Sequence, residues 1–92
     1  MIKSFRHKGL KQFLKGGDSR KLPPEMVERL RDLLTALNEA EAIEDLVRPS
    51  FRLHSLRGGM KGVWAVTVRA NWRITFRFES GHAFDVDFQD YH

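Results

Sequence analysis

Between Trp64 and Phe88 the chain alternates apolar and polar residues over three successive runs, a pattern satisfied only by strands that bury one face and expose the other. Trp64, Val66 and Val68 alternate with Ala65, Thr67 and Arg69. Trp72, Ile74, Phe76 and Phe78 alternate with Arg73, Thr75 and Arg77, and Phe84, Val86 and Phe88 with Asp85, Asp87 and Gln89. Short polar links containing Asn71 and Gly81, residues that tolerate positive φ, join the runs and predict antiparallel hairpins.

Register follows from keeping the apolar residues on one face, because a one-residue slip would turn them all outward. Val68 is expected opposite Trp72, Val66 opposite Ile74 and Trp64 opposite Phe76, across a loop Arg69-Ala70-Asn71 with Asn71 left-handed. Phe76 is expected opposite Phe84, Ile74 opposite Val86 and Trp72 opposite Phe88, across Glu79-Ser80-Gly81. The polar face then groups Thr67, Arg73 and Asp87 in one row and Ala65, Thr75 and Asp85 in another. Phe51 and Leu53 point inward, so Arg52 and His54 join the polar face. Tyr91 falls opposite Arg69 and beside Arg73. Asp90 and His92, however, share the parity of Val86 and Phe88. That calls for a bulge, a strand ending before Asp90, or a pleat running past the core.

The first half of the chain has helical spacing instead. Ile2 to Phe5 suits a short strand, and Lys8 to Lys15 a short basic helix stopped by Gly16-Gly17. Pro23-Pro24 opens a longer helix, with Glu25 and Glu28 near its positive end and Met26, Val27, Leu30, Leu33, Leu34 and Leu37 in one stripe. Asn38 followed by Glu41 has capping-box chemistry and predicts a second short helix, and Pro49 ends the helical half. The expectation is a single α+β domain over residues 1–92, with N-terminal helices packed on one face of a twisted antiparallel sheet.

Composition narrows the partners. Residues 1 to 21 carry seven Lys/Arg against one acid, residues 22 to 50 three against seven, and residues 51 to 92 six against four. The basic opening segment (Lys3, Arg6, Lys8, Lys11, Lys15, Arg20, Lys21) suits a polyanion, since neutralising phosphates releases counterions. With no cysteine, no signal-peptide pattern and no long apolar run, the chain reads as cytoplasmic and not membrane-bound. His7, His54, His82 and His92 lack two-histidine helical spacing, and Gly16-Gly17 and Gly58-Gly59 lack the setting of a phosphate loop. Neither a metal nor a cofactor is expected.

Metal-free RNA cleavage needs a base at the 2′-hydroxyl, a proton donor for the leaving 5′ oxygen and a cation for the phosphorane charge. His54, Asp90, Tyr91, His92, Arg73 and Arg57 supply those types, although on residue type alone a partly exposed strand histidine and a frayed chain end account for His54 and His92 more simply. Arg77, Asp85 and Asp87 read most simply as solvated cross-strand pairs.

The opening MIKSFRHKGL, the segment LHSLRGGMKGVWAVTVRANWRITFRF and the closing DFQDYH resemble the HigB toxins of the RelE/ParE superfamily over nearly the whole chain. The resemblance implies a RelE-like fold and a type II toxin that cuts messenger RNA in the decoding site of the ribosome, against 16S ribosomal RNA. It also implies neutralisation by a helix-turn-helix HigA-like antitoxin. It makes His54, Arg73, Asp90, Tyr91 and His92 the catalytic residues and Arg57, Arg69, Lys3, Arg6, Lys8 and Lys11 the phosphate or RNA contacts. Arg57 stands where relatives can carry lysine, which keeps the charge but removes a group able to exchange protons. Two other readings fit the same fold: a ParE-like DNA gyrase inhibitor and a non-catalytic RNA-binding module. Neither would need His54, Arg73, Tyr91 and His92 together.

Overall fold

The computed structural model describes residues 1–56 and 62–90. His7 is extended, and its Nδ1 accepts the Leu10 N–H at 3.2 Å, which starts helix α1, Lys8–Gly16. Gly17, at φ 72, ends it as expected: its N–H reaches the Phe13 carbonyl at 2.9 Å, closing the last turn. A 3₁₀ turn, Pro24–Met26, leads into helix α2, Val27–Glu39, and the predicted stripe is its buried face: Leu30, Leu33, Leu34 and Leu37. Burying each leucine stabilises the fold by about 1.5–3 kcal/mol.

The junction after α2 departs from expectation. Asn38 caps nothing; it lies inside α2, and its Oδ1 accepts the Ile2 N–H at 3.0 Å, tying the N-terminus to the helix. The carboxylate that organises the next turn, the 3₁₀ segment Ile43–Leu46, is Asp45, which accepts the N–H groups of Glu41 at 2.9 Å and Ala42 at 3.2 Å. Pro49 does not end the helical half either, because it opens a further 3₁₀ turn, Pro49–Phe51. Proline's fixed φ suits that first position.

Four antiparallel strands follow in sequential order: β1 His54–Ser55, β2 Val63–Arg69, β3 Trp72–Glu79 and β4 His82–Asp90. Trp64 pairs with Phe76 and Val66 with Ile74, as the alternation requires. Both hairpins, however, turn on two residues rather than three. In the first, Ala70 takes φ 50 and Arg69 pairs with Trp72, which leaves Val68 as the extra residue of a bulge. In the second, Ser80 and Gly81 both have positive φ, 51 and 79, the backbone that matches strand twist in a two-residue hairpin.

A second bulge reshapes β4. Thr75 pairs with Asp87 but Arg77 with Phe84, so Phe76 faces both Asp85 and Val86, and Asp85 takes φ 55. Beyond it Ile74 meets Phe88, two places further along than the pattern suggested. Nearer the turn Ala83 faces the core and Phe84 moves to the polar face, under the Arg77 guanidinium at 5.7 Å. The first residues form no continuous strand. They bridge β4 in parallel at two points, Ile2 with Ala83 and Phe5 with Val86, while Ser4 Oγ accepts the Asp85 N–H at 2.8 Å where the bulge interrupts the ladder. The core lies between the helices and the inner sheet face, where Leu10, Leu30, Leu34, Val66, Ile74, Phe76 and Val86 belong to one buried cluster.

Candidate active site

The outer sheet face is built by two registers. His54 stands opposite Ala65, Ala65 opposite Thr75, and Thr75 opposite Asp87; alongside, Thr67 stands opposite Arg73 and Arg73 opposite Gln89. Ala65 at 0% and Thr75 at 4% exposure are buried although they face away from the helical core.

Arg73 Nη1 lies 2.9 Å from His54 Nε2, and His54 Nδ1 lies 2.9 Å from the Arg52 carbonyl oxygen. A guanidinium only donates, so Nε2 must be the acceptor, and the ring proton sits on Nδ1, donated to Arg52. The pair therefore fixes one neutral tautomer. Arg52, at φ 50, turns its carbonyl toward the ring. Arg77, on the same face, is engaged differently: its Nε donates to Asp85 Oδ2 and its Nη1 to Glu79 Oε1, each at 3.0 Å, in keeping with a solvated ion pair. Asp87 stands opposite Thr75. Its carboxylate accepts the Gln89 amide at 2.8 Å and the Phe88 N–H at 2.9 Å.

Asp90 pairs with Trp72 at the exposed end of β4, on the parity of Phe88. The bulge at Asp85 lies upstream of both, so it does not move Asp90 to the Arg73 face. The pleat instead carries Asp90 beyond the core, past Phe88, whose ring stacks on Trp72 at 4.7 Å and meets His7 edge-on at 5.7 Å. Arg57, Tyr91 and His92 lie outside the described residues. Arg69 is exposed at the end of β2.

The expected RNA contacts divide between two surfaces. Arg6 and Gln89 line a depression of about 120 Å³ on the outer sheet face with Thr75, Arg77 and Asp85. Lys8, Lys11 and Lys15 line a separate one along α1 with Gln12, and Lys3 is exposed on the N-terminal arm. Arg20 is drawn out of the basic group by Asp18, which it grips through Nε and Nη2 at 3.0 Å, and this hydrogen-bonded pair lowers the Asp18 pKa to about 2. Among the described residues no cluster of three or more His, Asp or Glu side chains could hold a metal, and no helix is long and apolar enough to cross a membrane.

Sequence reasoning missed two members of the site. Gln89 reaches the row of Arg73 only because the bulge slides β4. The Arg52 carbonyl is aimed by a left-handed arginine, which carries no compositional signal.

Comparison with known proteins places the fold and the family. The family model for the RelE-like toxin of the type II toxin-antitoxin system HigB matches residues 3–92. The chain is 47% identical over 92 residues to the Endoribonuclease HigB of Proteus vulgaris, covering 100% of both, and 31% identical over 88 residues to the Toxin HigB-1 of Vibrio cholerae, covering 94% and 93%. Among solved structures, a chain of the heterotetrameric YoeB-YefM toxin-antitoxin complex of Staphylococcus aureus superposes with a TM-score of 0.62 at 13% identity, covering 100% of this chain and 98% of that one. YafQ of E. coli gives 0.61 at 14% identity over 98% and 93%. At such identities these two share the fold.

Proposed function

This chain belongs to the HigB family of RelE-like toxins of type II toxin-antitoxin systems, and on that premise we propose that it is a metal-independent endoribonuclease that cuts messenger RNA on the ribosome. The observation that carries the reading is the hydrogen bond between Arg73 and His54, a cation and a neutral imidazole held together on the polar sheet face.

The 2′-hydroxyl attacks its own phosphorus, forming the O2′–P bond as the P–O5′ bond breaks. The products are a 2′,3′-cyclic phosphate and a 5′-hydroxyl. In the free protein the His54 Nε2 lone pair is occupied by Arg73. A phosphodiester is the stronger acceptor for a guanidinium, so Arg73 turns to the scissile phosphate, where it offsets the developing charge. That exchange releases Nε2 to take the 2′-hydroxyl proton, with the Arg52 carbonyl steadying the imidazolium through Nδ1. Tyr91 is the alternative acceptor for that proton. His92 protonates the 5′ oxygen, Asp90 orients that histidine, and Arg57 joins Arg73 at the phosphate.

Lys3, Arg6, Lys8 and Lys11, with Arg69, form the ribosomal RNA contact, so the ribosome presents the strand and the toxin needs little sequence reading of its own. A type II toxin has an antitoxin; a helix-turn-helix HigA-like protein is the partner this reading assigns, and the cytoplasm, where ribosomes translate, is the compartment. The chemistry is tested with a message carrying a single 2′-deoxynucleotide at the cut site. Cleavage there should disappear while neighbouring sites are still cut, and persistent cleavage would exclude attack by the 2′-hydroxyl.

A further inference from the structure

Arg29, on the flank of α2, binds three backbone carbonyls and, among the described residues, no carboxylate. Its Nε donates to Val68 O at 3.2 Å, and its Nη2 donates to Thr67 O at 2.9 Å and to Ser50 O. The guanidinium also lies 5.5 Å from the centre of the Phe51 ring. An arginine loses more rotamer freedom on being ordered than a shorter donor would, so satisfying carbonyls alone does not account for it. The choice of carbonyls explains it.

Thr67 and Val68 mark the bulge in β2, where the ladder to β3 loses its regular partner, and Thr67 is the cross-strand neighbour of Arg73. Ser50 lies in the 3₁₀ turn that delivers Arg52, whose carbonyl holds His54 Nδ1. The contacts therefore close a ring: Arg29 to Ser50, along the chain to Arg52, by hydrogen bond to His54, by hydrogen bond to Arg73, across the ladder to Thr67, and back to Arg29. Among the described residues, β1 meets β2 through the pairings of His54 and Ser55 and one further backbone bond, from the Leu56 N–H to the Val63 carbonyl at 2.8 Å. So short a strand gives weak registration, and the ring adds to it.

We infer that Arg29 is a positioning residue that sets the distance between His54 and Arg73 by bridging the turn before β1 to the bulge of β2. This rests on the endoribonuclease reading for its consequence, though not for its geometry. Lysine offers one ammonium in place of a planar fork and cannot span the same carbonyls in the same plane.

The experiment compares wild type with R29K and R29M in two readouts, both well below the melting temperature of the least stable protein. The first is steady-state cleavage of message on purified ribosomes. R29M should lower kcat about 100-fold and R29K about tenfold with KM unchanged, the scale expected when reacting groups are misplaced by about 1 Å. The second is the pair of imidazole ¹⁵N signals of His54 in the free toxin, which should report one Nδ1–H tautomer in wild type and a mixture in R29M, with R29K between. An imidazole spectrum identical in all three proteins overturns the proposal, whatever happens to cleavage. So does an unchanged kcat. If wild type fails to cut message at all, the endoribonuclease reading falls, while the His54 spectra still decide for or against Arg29.

Discussion

Arg73 Nη1 and His54 Nε2 lie 2.9 Å apart on the outer sheet face, and because the guanidinium can only donate, this one contact fixes which imidazole nitrogen carries the proton. A histidine held for packing alone would be replaceable by another acceptor. His54→Gln keeps an acceptor for Arg73 but offers no usable base. It is expected to lower ribosome-dependent cleavage by about 10²- to 10⁴-fold while leaving the thermal unfolding midpoint within a few degrees of wild type. Cleavage assays and circular dichroism melts on the same preparation check both halves, and near-wild-type cleavage would remove His54 from the chemistry.

The basic face of α1 should act through charge rather than shape. Replacing Lys8, Lys11 and Lys15 together with glutamine leaves the buried side of the helix, Leu10 and Phe13, untouched. Ribosome affinity should fall. The slope of log affinity against log salt should become shallower by about 0.7–0.9 for each phosphate contact removed. A salt titration of binding measures it, and an unchanged slope would mean that these lysines face solvent in the complex.

Two glycines in the same helix should respond in opposite senses. A Cβ on Gly9 would stand 2.8 Å from His7 Cε1 and 3.0 Å from Lys21 Cβ, whereas nothing lies within 4 Å of one on Gly16. Gly9→Ala must push aside the histidine that caps α1 and should destabilise by about 1–3 kcal/mol. Gly16→Ala should stabilise by about 0.5–1 kcal/mol by restricting the unfolded chain. Denaturant unfolding of the two variants gives both values.

Asp45 supplies a pH-dependent contribution of known sign. The N–H groups of Glu41 and Ala42 hydrogen-bond its carboxylate and, with Arg48 nearby, hold its pKa below the usual carboxylate range. A depressed pKa contributes stability above the unfolded-state value, and that contribution is lost as the pH falls through the folded-state value. Asp45→Ala should therefore lower the melting temperature by a few degrees at neutral pH, and the gap to wild type should narrow below about pH 4. Melting curves across that range test it; a gap that widened on acidification would contradict the assignment.

Much of this molecule can be read from its residues, and the exceptions have a common cause. Leu30, Leu33, Leu34 and Leu37 had to share a helix face, Gly17 had to end α1, and Trp64 had to meet Phe76, because each follows from a period or a backbone requirement. Alternation, however, fixes only parity. Sliding β4 by two residues keeps Val86 and Phe88 inward, so the pattern cannot distinguish Ile74 opposite Val86 from Ile74 opposite Phe88; the bulge at Asp85 decides it and leaves Phe84 on the outer face, against the alternation. Aspartate in a strand gives no warning of φ 55. The same limit governed the site. That His54 and Arg73 share a face was legible, whereas their contact depends on Arg52 turning left-handed and on Arg29 reaching from the helical layer, neither of which leaves a periodic trace.

The central claim is that the Arg73–His54 pair and the chain end together cut message on the ribosome. Primer extension on a defined message in a translating extract tests it most directly, comparing wild type, Arg73→Ala and a chain lacking His92. Strong cuts with wild type, dependent on translation and absent with both variants although each is folded by circular dichroism, are the predicted result. Cuts of equal strength with all three proteins, or inhibition of DNA gyrase with the message left whole, would contradict the account.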